Sequence, residues 1–145
     1  MTKYKAKRVV IDTNVILDYL LGRGSKSHQE AIKQIYNSSI YGLCEGVITA
    51  STLTDLFYIL DGAAGVDARR EVKKLIQVHT VLTVTEADCL QALDSTMIDF
   101  EDAVLAACAK RNQIDSLVTT NTADFESSGL IVYTVAEFVQ QLKRG

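Results

Sequence analysis

Asp12, Asp55, Asp102 and Asp124 lie far apart along this 145-residue chain, yet the residues around each imply one meeting place. Asp12 follows Val9-Val10-Ile11, a β-branched run read as a strand buried on both faces, so it stands where that strand ends. Asp124 belongs to Thr119-Thr120-Asn121-Thr122-Ala123-Asp124-Phe125, which follows Ser116-Leu117-Val118, read as another strand. In an open parallel sheet, ligands gather outside the carboxyl ends of the strands. Two unit charges about 4 Å apart repel by about 4 kcal/mol at an effective dielectric of about 20, so carboxylates that converge there call for a cation. Oxygen donors without histidine or thiolate suit Mg²⁺ or Mn²⁺ rather than zinc. Paired ions of that kind, roughly 3.5 to 4 Å apart, can activate a water and stabilise the leaving oxygen of a phosphodiester.

The other two acids sit on helices. Thr49-Ala50-Ser51-Thr52 opens a helix with Leu53, Leu56, Phe57 and Leu60 inward. Asp55 in its first turns either complements the positive helix end or points into the crevice. Asp99-Phe100-Glu101-Asp102 opens another helix, apolar around its whole circumference from Ala103 onward and therefore buried. Three acids exceed what capping needs. Asp102, continuous with the buried portion, is expected in the crevice, with Asp99 able to share its face. Glu101 is read as a capping or surface acid.

Elsewhere the pattern alternates strand and helix. Val15, Ile16, Tyr19 and Leu20 follow the first strand at helical spacing, with Thr13 or Asn14 as cap and Asp18 as an exposed helix acid. Ser27 opens a helix to about Asn37, with His28 on its wet side and no carboxylate spaced to orient it. A strand is expected over 40–48. A helix from Ala68 to Val78 places Val72, Leu75 and Ile76 inward and Arg69, Arg70, Lys73 and Lys74 on a face read as solvated, with a phosphate backbone or acidic partner as the alternative. Strands over 81–84 and 130–133 and helices over 86–93 and 135–142 complete the set. This order predicts an α/β fold of three layers, α/β/α, with a five-stranded parallel sheet covered on both sides.

Composition is that of an ordinary globular domain, 48% hydrophobic and 23% charged, and residues 1–145 are expected to form one domain. No apolar run approaches the roughly 18 residues of a membrane span. Cys44, Cys89 and Cys108, odd in number and unpaired in spacing, read as small buried hydrophobes. With no apolar signal segment before the first strand, a cytoplasmic location is expected. A net charge of −3 argues against broad, non-specific adhesion to nucleic acid.

The stretches Val9–Asp18, Ile48–Leu60, Asp99–Ala109 and Leu117–Phe125 together resemble the four acid-bearing motifs of the PIN-domain ribonucleases, a family that includes the VapC-type toxins of toxin–antitoxin pairs. The resemblance implies a PIN-like fold and metal-dependent hydrolysis of RNA by Mg²⁺ or Mn²⁺, leaving a 5′-phosphate and a 3′-hydroxyl. It assigns catalysis to Asp12, Asp55, Asp102 and Asp124, and metal binding to Asp12, Asp102 and Asp124. Asn14, Asp99, Thr119 and Asn121 are their support. Many members carry glutamate where Asp55 stands, one methylene longer, and another acid where Asn121 stands. Toxin members form homodimers and are silenced by a small antitoxin whose tail enters the crevice, which implies those partners beside RNA. The alternative that Asp55 and Asn121 permit is a non-catalytic PIN-fold nucleic-acid-binding module. A phosphoacceptor receiver domain also gathers acids at strand ends, but its acidic pair at the first strand and its late lysine are missing here.

Overall fold

The computed structural model describes residues 7–144. Five parallel strands stand in the order β3-β2-β1-β4-β5: β1 is Lys7–Ile11, β2 Cys44–Thr49, β3 Thr80–Leu82, β4 Ser116–Val118 and β5 Ile131–Tyr133. The first three run outward to one edge, and the chain then returns to the other side of β1 for β4. The carboxyl ends of β1 and β4 therefore flank the point where the strand order reverses, which is where open α/β sheets form their crevice.

The strand period of two explains why both faces are covered. Val9 and Ile11 enter a core with Ile16, Ile32, Leu56 and Phe138, supplied by α1 (Thr13–Leu21), α2 (Lys26–Ile40), α3 (Ala50–Asp61) and α7 (Val135–Arg144). Val10, between them, enters a second core with Val47, Leu105, Cys108, Leu117 and Phe125. There α6 (Phe100–Arg111) buries every residue from Ala103 to Ala109, as its uniform apolarity predicts. Against it packs α5 (Glu86–Asp94), held by the guanidinium of Arg111, which donates from Nε to Asp88 Oδ1 (2.8 Å) and from Nη2 to the Thr83 carbonyl (2.7 Å). That ion pair holds the buried Asp88 carboxyl below its ordinary range, and Asp88 closes a capping box with Thr85. The three-layer α/β/α arrangement is the one expected.

Several local expectations are corrected. The second helix begins after its cap Ser25 and runs through Ile40, which is 78% exposed. The strand starts only at Cys44, because Gly42 at φ 75° turns the chain first. Asp12 itself caps α1, not Thr13 or Asn14. Ile76 on α4 (Ala68–Val78) is half exposed rather than inward. Asp18 is no solitary surface acid, since its Oδ2 lies 2.9 Å from His28 Nε2 across the α1–α2 junction. The orienting carboxylate that His28 seemed to lack is thus ten residues upstream. No helix among the described residues is long and apolar enough to cross a membrane.

A second histidine is buried. His79 Nδ1 donates to the Leu75 carbonyl (2.8 Å), which leaves Nε2 to accept from the Tyr36 hydroxyl (2.9 Å). Burial pushes its pKa below the ordinary 6.5. The unfolded chain therefore binds the proton more readily, and stability falls as pH drops below about 6.5. The urea midpoint should decline between about pH 7 and pH 5 more steeply in the wild type than in His79→Gln; equal slopes would contradict the assignment. Phe138→Ala, which empties a fully buried ring site, should cost about 3–5 kcal/mol in the same measurement.

Candidate active site

Asp12 stands one residue beyond β1. Its backbone N–H continues the ladder to the Val118 carbonyl of β4 (3.0 Å). Its side chain then turns into the crevice as the cap of α1: Oδ1 accepts from the Thr13 N–H and Oδ2 from the Thr119 hydroxyl, each at 2.9 Å. Thr119 is fully buried, and its Oγ1 also accepts from the Asn121 backbone N–H (3.1 Å). The Asn121 amide donates to Asp124 Oδ2 (2.8 Å). The strand-end segment that follows β4 thus ties two of the expected catalytic acids together through Thr119 and Asn121, two of the four residues assigned to support them.

Two more acids arrive from α6. Asp99 caps that helix, its Oδ1 accepting from the Asp102 N–H (2.9 Å), which places Asp102 on the first turn beside the buried portion. From α3, Asp55 resolves its two readings in favour of the crevice. A cavity of about 430 Å³ is lined by Asp12, Asp55, Asp99, Glu101, Asp102 and Asp124, with Asn14 exposed at its opening and no lysine, arginine or histidine.

Glu101, read as a capping or surface acid, is exposed and also lines the same opening. The nearby charge of Asp55 lifts its carboxyl above the ordinary range, with smaller contributions from burial and Asp99. The surplus of acids at the helix opening was the available signal. Asp12 is raised chiefly by burial, against which the Thr119 and Thr13 hydrogen bonds work. Asp102 is pushed up to about 7 by burial first, then by Asp99, Asp12, Asp124 and Glu101.

Among the described residues no three carboxylate, imidazole or thiolate groups stand close enough to form a ready-made metal cage. The acids share one opening without closing on a point. Their chemistry nevertheless fits a hard divalent cation, being all oxygen, mutually repelling and without a cationic side chain to balance them.

The Asp102 shift has a consequence for stability. Its folded pKa lies above the ordinary 3.8, so stability is fully present below about pH 4 and declines as the pH rises through about 7. Asp102→Asn should therefore melt above the wild type at pH 8 without metal, the two curves converging near pH 4. A wild type more thermostable than the variant at pH 8 would contradict this electrostatic account.

A family model described as PIN domain matches residues 8–123. No curated protein matches the sequence. Among solved structures, a toxin–antitoxin complex from Klebsiella pneumoniae is similar at a TM-score of 0.65 and 17% identity, over 88% of this chain and 97% of that one. VapBC2 from Rickettsia felis, bound to a promoter DNA fragment, gives 0.69 and 12%, over 88% and 98%. VapBC-1 from nontypeable Haemophilus influenzae gives 0.66 and 20%, over 89% and 98%. These likenesses establish a shared fold, and the family model, spanning most of the sequence, establishes the kinship: the chain belongs to the PIN-domain family.

Proposed function

We propose that this protein is a Mg²⁺- or Mn²⁺-dependent endoribonuclease, the toxin of a toxin–antitoxin pair. The observation that carries the reading is the crevice at the strand reversal, whose lining holds six carboxylates and no cationic side chain in a PIN-domain chain. The solved structures that share the fold include toxin–antitoxin complexes, which supports the second half of the proposal.

Asp12, Asp102 and Asp124 would hold the cation, with Asp55 and Glu101 completing the acidic wall. When bound, the cation would polarise the phosphodiester and make a water nucleophilic near neutral pH. The chain's own work is positional. Thr119 and Thr13 fix both oxygens of Asp12, and Asn121 steers Asp124. Asp102, pushed up to about 7, would have to give up its proton to hold the cation, so Mg²⁺ affinity should fall by about tenfold per pH unit below that value. A small antitoxin carrying a basic side chain would find in this crevice the charge it complements, and a homodimer is the expected assembly of the free toxin.

The unformed cage favours one competing reading, a non-catalytic nucleic-acid-binding module. Cleavage decides between them. Purified protein should cut single-stranded RNA in Mg²⁺ or Mn²⁺ and stop in EDTA, and Asp12→Asn should abolish cutting. Thr119→Val, which removes only the hydroxyl that orients Asp12, should lower activity by roughly 10- to 100-fold. RNA left intact by the wild type, together with no calorimetric Mn²⁺ binding at millimolar metal, would establish the binding module instead. Expression alone should slow growth, and co-expression of the small neighbouring gene should restore it.

A further inference from the structure

Beside the acid crevice lies a second cavity, of about 320 Å³, which shares Asp12, Asp55, Glu101 and Asp102 with it at the rim. Away from the acids its character changes. One wall is apolar, built from Val84, Cys89, Phe100 and Val104, and the facing wall carries the hydroxyls of Ser51 and Thr54 on α3. Phe100, first residue of α6, keeps 48% of its surface exposed, an uncommon position for a large aromatic side chain. On the other lip of the crevice Tyr58 is 84% exposed, next to Ile59 at 40%.

We infer that this cavity seats one unpaired nucleobase of the substrate, stacked on Phe100, while the adjoining phosphodiester lies over the acids and the next base lies against Tyr58. Three observations select that occupant. The volume stands at the small end of ligand sites, which run from roughly 300 to 1,000 Å³, and so takes one ring system rather than a length of chain. Its lining holds no lysine or arginine, and its acids are the ones it shares with the crevice, so beyond them nothing would hold a phosphate and the apolar wall suits a neutral ring. Its lining pairs an aromatic side chain with the hydroxyl-bearing Ser51 and Thr54, residue types with which proteins hold an unstacked base. A base inside a duplex cannot leave its stack without losing its partner, so the cavity selects unpaired segments. The inference rests on the nuclease reading for the identity of the ligand, not for the shape or chemistry of the cavity.

The test uses ligands that cannot be cut. In Mg²⁺, each of the four nucleoside 5′-monophosphates is titrated into the full chain alongside ribose 5-phosphate, and amide chemical shifts are followed by NMR. At least one nucleotide should shift Ser51, Val84 and Cys89 and bind about fivefold or more tightly than ribose 5-phosphate, the lower end of what stacking one base contributes. Phe100→Ala should abolish that preference and Phe100→Trp should keep it. Cys89→Trp, which fills the cavity from within, provides a second variant with the same expected loss. Equal binding of ribose 5-phosphate, shifts confined to other surfaces, or a preference that survives both Phe100→Ala and Cys89→Trp would overturn the inference. So would shifts caused at this cavity by an apolar peptide and by none of the nucleotides. Base-dependent binding in a protein that cuts no RNA would sink the hydrolase and keep the base seat; cleavage without any base preference would do the reverse.

Discussion

A carboxylate at the end of the central strand has to be held almost out of water while carrying a charge, and the surrounding architecture answers to that demand. Burial raises the energy of ionised Asp12, and the two hydrogen bonds it accepts lower it again. One donor comes from the helix that Asp12 starts, the other from the loop after the neighbouring strand. The second is available only because β4 lies beside β1, so that Val118 pairs with Ile11 and the chain leaves both strands at the same level. The order of strands is therefore also the support of the acid.

Crowding of like charge is the second consequence of that geometry. Each further acid that reaches the opening makes ionisation of the others harder, as the elevated carboxyl of Glu101 records; at Asp102 burial is the larger cause and the neighbouring acids add to it. No basic side chain intervenes among the lining residues, although Arg69, Arg70, Lys73 and Lys74 crowd a single helix, α4. The division leaves the opening with an appetite for positive charge that the polypeptide does not satisfy from its own residues.

Much of this was legible in the sequence because it depends on local signals. The short apolar runs ending at Ile11 and Val118 marked the strands, and the acids and amides just past them marked the crevice. The uniform apolarity from Ala103 to Ala109 marked a buried helix. Where the reading failed, the deciding interaction was distant or fell among equals. Asp18 and His28 are partnered across two helices, which no spacing on one helix reveals. Glu101 reads as a capping or surface acid, and only the position of α3 brings it near the Asp55 charge. Ile40 is as apolar as any strand residue, but the glycine two positions later sets where β2 can begin. The cavity behind Phe100 had no signature at all, because its walls come from three segments with unremarkable composition.

The outer strands β3 and β5 are only three residues long. So short a border offers little free main-chain hydrogen-bonding capacity to another polypeptide, which protects the sheet from being extended by a stray neighbour. Any association between copies would then be written in side chains on helical surfaces, where a few substitutions can change the choice of mate without disturbing the scaffold beneath.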